Sequence, residues 1–230
     1  METLGGRFRT LVIGASGGIG RALVDELHTL EACCAVATLS RSEGDFDLLD
    51  EKTIATQAAN FAKDQFDLVV CATGVLTIDG IGPEKSIREI DPGAMAAQFA
   101  VNAIGPALVL KHFTPLLPKS KRSVFAVLSA RVGSIGDNRL GGWISYRSSK
   151  AALNQIVRTT AIEVARTRPQ AVIVSLHPGT VDTPLSRPFA ANHQARVPKD
   201  AASTILATLD GLTAPGSGDF FAYDGSRVEW

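Results

Sequence analysis

Arg9-Thr10-Leu11-Val12-Ile13-Gly14-Ala15-Ser16-Gly17-Gly18-Ile19-Gly20 is the stretch that decides the fold. Its first half is a short apolar, β-branched run that reads as a strand, and residues 20–30 beyond it read as a helix. Between them lies a glycine-rich turn. Gly14 lets the chain reverse sharply, while Gly18 and Gly20 let the backbone approach a ligand and the strand closely. The free amides and positive dipole at the helix start would suit a pyrophosphate. The spacing is G-x-x-x-G-x-G, so neither the G-x-G-x-x-G fingerprint nor a P-loop is met. A plain tight turn stays open as an alternative; the position after the first strand is what gives the cofactor reading its weight.

The rest of the chain repeats the pattern. Apolar runs at residues 33–40, 66–72, 123–129, 171–176 and 220–223 alternate with helical stretches at 52–63, 92–117, 145–168 and 199–212. The runs are near-continuously apolar, as strands covered by helices on both faces should be. Alternation of this kind implies a parallel sheet with crossover helices. The expected architecture is α/β: one doubly wound Rossmann-type domain over residues 1–230, with a mostly seven-stranded parallel sheet.

Lys+Arg and Asp+Glu are balanced at 23 each, which removes the broad basic surface that non-specific nucleic-acid binding needs. No uninterrupted apolar run approaches the roughly 20 residues of a bilayer span, and the first residues lack the basic-then-apolar order of a signal peptide. A soluble cytoplasmic protein with no nucleic-acid or membrane partner is expected. Cys33, Cys34 and Cys71 are a poor disulfide framework, and no Cys/His spacing points to a metal. His28, His112, His177 and His193 are scattered and read as surface or packing residues.

Two local arrangements carry chemistry. An acid holding ribose hydroxyls usually stands about 20 residues beyond such a glycine turn. Here the stretch is Thr38-Leu39-Ser40-Arg41-Ser42, and Arg41 between two hydroxyls suits a 2′-phosphate instead. NADP(H) is therefore expected over NAD(H), with a solvated surface arginine as the plain alternative. Second, Tyr146-Arg147-Ser148-Ser149-Lys150 places a phenol and an ammonium one helical turn apart. The ammonium should favour the phenolate and lower the Tyr146 pKa toward neutrality. Such a tyrosine can exchange a proton with an alcohol or carbonyl.

Placed in order, these features resemble the classical short-chain dehydrogenases/reductases. Asp47 with Leu48 is similar to the family's acid–apolar pair beside the adenine ring. Cys71-Ala72-Thr73-Gly74 stands where the family usually has Asn-Asn-Ala-Gly, and Val101-Asn102-Ala103 matches the segment bearing its active-site Asn. His177-Pro178-Gly179-Thr180-Val181-Asp182-Thr183 resembles the loop holding the nicotinamide amide. The stretch Gly133-Ser134-Ile135-Gly136-Asp137-Asn138, with Gly141-Gly142-Trp143, resembles the C-factor-like and sniffer-like carbonyl reductases.

The resemblance implies Tyr146 as general acid/base and Lys150 as the group that holds the nicotinamide ribose. Asn102 would support a water relay. Gly14, Ser16, Gly18, Ile19, Arg41, Asp47, Leu48, Ala72, Thr73, Gly74, Pro178, Gly179, Val181 and Thr183 would join Tyr146 and Lys150 around the cofactor. It implies a small carbonyl or alcohol substrate, and a homodimer or homotetramer formed through residues 92–117 and 145–168. Family chains carry Ser-Ser-x-x-Gly where this one reads Ser129-Ala130-Arg131-Val132-Gly133. Ala130 falls in the catalytic serine slot, leaving Ser129, or else Ser134, to supply a hydroxyl. An NADP(H)-binding signalling protein with little turnover is thus a second reading, and a dehydratase or epimerase a third. Trp143 and Phe189 could each line the substrate mouth or simply pack.

Overall fold

Alternate residues of each strand face opposite ways, and both directions are apolar. In β1 (Phe8–Ile13), Phe8 and Val12 enter one core, while Leu11 and Ile13 enter another. The computed structural model describes residues 1–189 and 195–230; His193, one of the scattered histidines, lies outside them. The first core is closed by α1 (Gly18–His28) and α6 (Pro198–Gly211), through Leu23, Leu27, Ile205 and Leu209. The second is closed by α2 (Glu51–Asn60), α4 (Gly105–Phe113) and α5 (Ile144–Ala165), through Ile54, Val109, Phe113, Leu153 and Val157.

The remaining strands are β2 (Cys33–Leu39), β3 (Leu68–Cys71), β4 (Ser123–Leu128), β5 (Ala171–His177) and β6 (Phe220–Ala222). All pair in parallel, in the order β2-β1-β3-β4-β5-β6. Among the described residues the sheet thus has six strands, one fewer than the seven expected. The reason is local: residues 40–50 between β2 and α2 carry Gly44, Asp45, Asp47 and Asp50, form a single isolated bridge between Ser40 and Glu43, and hold no apolar run to extend the sheet past β2. β2 is the edge strand, and its side chains are largely half-buried.

The chain leaves β1 for β2 on one side and returns to β3 on the other. The crevice at the carboxyl ends of β1 and β3 is the switch point at which open α/β sheets take ligands. Residues 92–117, expected as one helix, are divided. α3 (Pro92–Phe99) gives way to a wider π turn, Ala100–Ile104, before α4 begins at Gly105. Pro106 lacks the N–H a regular helix would need there, and the wide turn accommodates it. By length and hydropathy alone the stretch Pro92–Leu116 could cross a membrane (mean hydropathy 1.5), which counting uninterrupted apolar runs did not reveal. Here Val109, Leu110 and Phe113 pack it onto the sheet instead.

Candidate active site

The glycine turn is as tight as its sequence implies. Gly14 sits at φ +87°, and its N–H donates to the Leu39 carbonyl at 2.7 Å. A Cβ on Gly20 would lie 2.1 Å from the Gly14 carbonyl oxygen, and one on Gly18 would lie 2.6 Å from Thr183 Cγ2. The first contact seats α1 directly under the turn. The second brings the post-β5 loop against it. α1 starts without a side-chain cap or an acidic residue in its first turn, so its leading amides are open to an anion. These are the cradle features a dinucleotide pyrophosphate requires, and Ser16 is exposed beside them.

Arg41 is exposed just past β2, beside the Ser40–Ser42 hydroxyl contact of 3.2 Å, and forms no ion pair among the described residues. Asp47 Oδ1 accepts from the Leu49 N–H at 2.9 Å, so this carboxylate shapes the turn into α2. Leu48 packs where a Cβ on Gly105 would approach it to 3.0 Å. Ser16, Arg41, Asp47 and Leu48 all lie away from the large cavity described below.

Across the switch point, the Ala72 N–H donates to the Ile13 carbonyl at 2.7 Å, and a Cβ on Gly14 would come within 3.0 Å of Ala72 and Thr73. The turn after β3 is fixed by Asn102, which the π turn directs inward and buries completely. Asn102 Oδ1 accepts from the Val75 N–H and Nδ2 donates to the Val75 carbonyl, both at 2.9 Å. Nδ2 also donates to Gln98 Oε1 at 2.6 Å. Gly74 is held close by: a Cβ there would lie 3.3 Å from both Asn102 Oδ1 and Lys150 Nζ.

α5 carries the other half of the site. Trp143, in the left-handed region at φ 54°, precedes it without capping it. Glu84, buried and remote in sequence, does that work. Its carboxylate accepts from the Ser145 N–H at 3.2 Å and from the Ser145 hydroxyl, and its carbonyl accepts from the Trp143 N–H. Nothing in the local sequence marks Glu84 as the cap.

One turn on, Tyr146 and Lys150 share a face, with Nζ 6.0 Å from the ring centroid. Nζ donates to the Leu128 carbonyl at 3.0 Å. The expected lowering of the phenol is absent: burial pushes Tyr146 up to about 12 and Lys150 down to about 8. Desolvation outweighs the ammonium because Nζ is turned to a carbonyl and the phenol has no compensating hydrogen bond.

Ser129, at the end of β4, is also buried, and its Oγ donates to Asn154 Oδ1 at 2.7 Å. The neighbouring Ala130 faces the cavity with no hydroxyl to offer. Ser134 accepts from the Asp137 N–H at 3.0 Å and shapes its own loop.

A cavity of about 560 Å³ opens in front of these groups. Ile19, Ser129, Tyr146, Pro178, Gly179, Val181 and Thr183, all named from sequence, line it. Gly179 at φ +79° turns the chain against the Tyr223 ring, where a Cβ would sit at 3.0 Å. Trp143 and Phe189 meet edge to face at 5.5 Å and form one wall, while Trp143 also meets Tyr146 at 6.3 Å. His177 belongs to the wall too, which scattered spacing could not show. Burial, then the Arg131 charge, pushes it down to about 4, and its Nδ1 has no partner.

The sequence matches the short chain dehydrogenase family model over residues 45–194. The C-signal of Myxococcus xanthus is 37% identical over 175 residues, covering 75% of this chain and 98% of that protein. Among solved structures, carbonyl reductase Sniffer of D. melanogaster superposes with a TM-score of 0.83 at 20% identity, covering 97% of this chain and all of that one. A short-chain dehydrogenase/reductase from Burkholderia multivorans with bound NADP has a TM-score of 0.81 at 25% identity, with coverage of 97% and 100%. With the glycine cradle at its switch point and Tyr146 on the wall of its cavity, this chain belongs to the short-chain dehydrogenase family.

Proposed function

We propose that this protein transfers hydride between NADP(H) and a carbonyl/alcohol pair, with Tyr146 as general acid/base. The observation that carries the reading is the Tyr146 side chain on the cavity wall, one helical turn from a fully buried Lys150. The α1 amides and Ser16 would hold the phosphates, Arg41 the 2′-phosphate, and Asp47 and Leu48 the adenine end. Gly14, Gly18, Ile19, Ala72, Thr73 and Gly74 would shape the floor, and Pro178, Gly179, Val181 and Thr183 would hold the nicotinamide amide. The B. multivorans relative with bound NADP and the unpaired Arg41 support the choice of cofactor. The bound nicotinamide supplies or accepts the hydride.

The chain's own residues manage the proton. At neutral pH the Tyr146 phenol keeps its proton, because burial disfavours the phenolate. It is thus placed to donate to a developing alkoxide, whose negative charge Lys150 would stabilise from behind. Asn102 holds the turn after β3 through its two bonds to Val75, and the Leu128 carbonyl holds Lys150. Tyr146→Phe should abolish NADPH oxidation with simple aldehydes and ketones while leaving NADPH binding intact; retained turnover would overturn the assignment. A cofactor titration should show NADPH preferred over NADH, with the preference lost in Arg41→Ala.

One observation favours the second reading, a cofactor-binding signalling protein with little turnover. The Ser129 hydroxyl donates its hydrogen bond to Asn154 Oδ1, and Ala130 occupies the usual serine position. Turnover of any simple ketone or aldehyde decides against it. The proposal also makes the protein a cytoplasmic homodimer or homotetramer joined through the outer faces of α3 to α5. There Ile104 and Ile162 are 55% and 52% exposed, and sedimentation of Ile104→Glu against wild type tests it.

A further inference from the structure

The cavity in front of Tyr146 carries charge that the proposed hydride chemistry does not use. Lys85, Arg131 and Arg147 all line it, and among the described residues no aspartate or glutamate does. In a chain with equal acidic and basic counts this is a local excess of one sign, and a cleft so lined concentrates oppositely charged ligands.

The three cations differ. Arg131 Nε is occupied by Asp137 Oδ2 at 2.5 Å. Arg147 has no carboxylate partner among the described residues. Its Nε donates to the Gly142 carbonyl at 2.9 Å and its Nη1 to the Val132 carbonyl at 3.4 Å. Those bonds use two of the five guanidinium hydrogens and leave one on Nη1 and both on Nη2, donors enough to receive a carboxylate. Lys85 engages Glu89 only through its backbone N–H, at 2.9 Å, and its side chain is exposed.

The cofactor phosphates do not account for these charges. Their cradle is the turn at the carboxyl end of β1, with Arg41 beyond β2, whereas Arg147 is tied to the loop between β4 and α5. The same cavity also has an apolar wall that includes Leu76, Trp143 and Phe189, with Trp143 against both Phe189 and Tyr146.

We propose that the substrate is a carbonyl compound, or its alcohol, with an apolar body against Trp143 and Phe189 and a terminal carboxylate held by Arg147 and Lys85. This rests on the oxidoreductase reading above. The test compares 4-carboxybenzaldehyde and 12-oxododecanoic acid with their methyl esters, using the full chain and NADPH. Wild type should prefer the acids in kcat/KM by at least about tenfold, the scale of one charge-assisted hydrogen bond. Arg147→Met should collapse that acid-to-ester ratio toward one. Because Arg147 also ties down Gly142 and Val132, Lys85→Met, which removes no side-chain hydrogen bond, supplies a second variant and should lower the ratio too. A wild-type ratio of one, or a ratio unmoved by both substitutions, overturns the proposal.

Binding is read in parallel from tryptophan fluorescence, since Trp143 lies in the cavity and Trp230 is stacked on Phe220. If no compound is turned over but the acids still bind more tightly than the esters, and both variants remove the difference, the hydride reading fails and the anion pocket stands. Equal binding of acids and esters removes the pocket, whatever the turnover.

Discussion

Lys150 is expected to weaken the protein that it equips. It is 3% exposed, and burial lowers its ammonium from 10.5 to about 8. Each tenfold in a proton equilibrium is about 1.4 kcal/mol, so carrying the charge costs the folded state roughly 3 kcal/mol at pH 7. Removing the ammonium also leaves the Leu128 carbonyl without its donor at 3.0 Å, which offsets about 1.5 kcal/mol of the gain. Lys150→Met keeps the apolar stem and discards the charge, and should stabilise the protein by roughly 1–2 kcal/mol at pH 7 while ending the proposed activity. The pH dependence fixes the cause. Below about pH 8 Lys150 is charged in both folded and unfolded chains, and the cost is full. Between about 8 and 10.5 the folded chain has lost the proton and the unfolded chain still holds it, so wild-type stability rises and the gap to the variant narrows. Urea unfolding of both proteins from pH 7 to 10.5 measures this. A variant less stable than wild type at pH 7, or a gap that ignores pH, would refute the reasoning.

Two further substitutions probe the site from other sides. Gly18→Ala forces a Cβ to within 2.6 Å of Thr183 Cγ2, so it should displace the post-β5 loop and weaken NADPH binding about tenfold. Adding Thr183→Gly should recover part of that loss in a fluorescence titration; no recovery would show that the contact is not what couples the turn to the loop. Ala130→Ser restores a hydroxyl on the cavity wall and should raise kcat about tenfold with little change in KM, since losing one such donor elsewhere costs 10²–10³-fold. Unchanged kcat would mean that another donor already serves.

The strands and the glycine turn were legible because their signals are local. β-branched apolar runs and glycines required by a positive φ or a near-contact depend on neighbours in sequence. Gly14, Tyr146 and Lys150 could therefore be named before any coordinates, while Asn102 and the 178–183 loop came from the family resemblance. What escaped depends on distant partners. Glu84 caps α5 from 61 residues away, and Asn154 meets Ser129 across 25 residues. Neither residue type announces such a role. Arg147 stood inside the tyrosine motif but gained meaning only once the cavity showed no counter-charge beside it. The strand count came out one high, because the chain itself offers only six apolar runs of strand character among the described residues.

The resting protonation of the proposed Tyr146–Lys150 pair differs from what its spacing implied. Spacing alone made Lys150 the group that lowers Tyr146; the fold instead drives the pair apart, to about 8 and about 12. Alcohol oxidation needs a phenolate to take the proton and an ammonium behind it. With these values no pH makes both the major forms, because Lys150 is neutral well before Tyr146 ionises. Carbonyl reduction needs a phenol and an ammonium, and both predominate everywhere below about pH 8. The same burial that costs stability at Lys150 thus keeps the proton on Tyr146, and the pair as folded is loaded to give a proton rather than to take one.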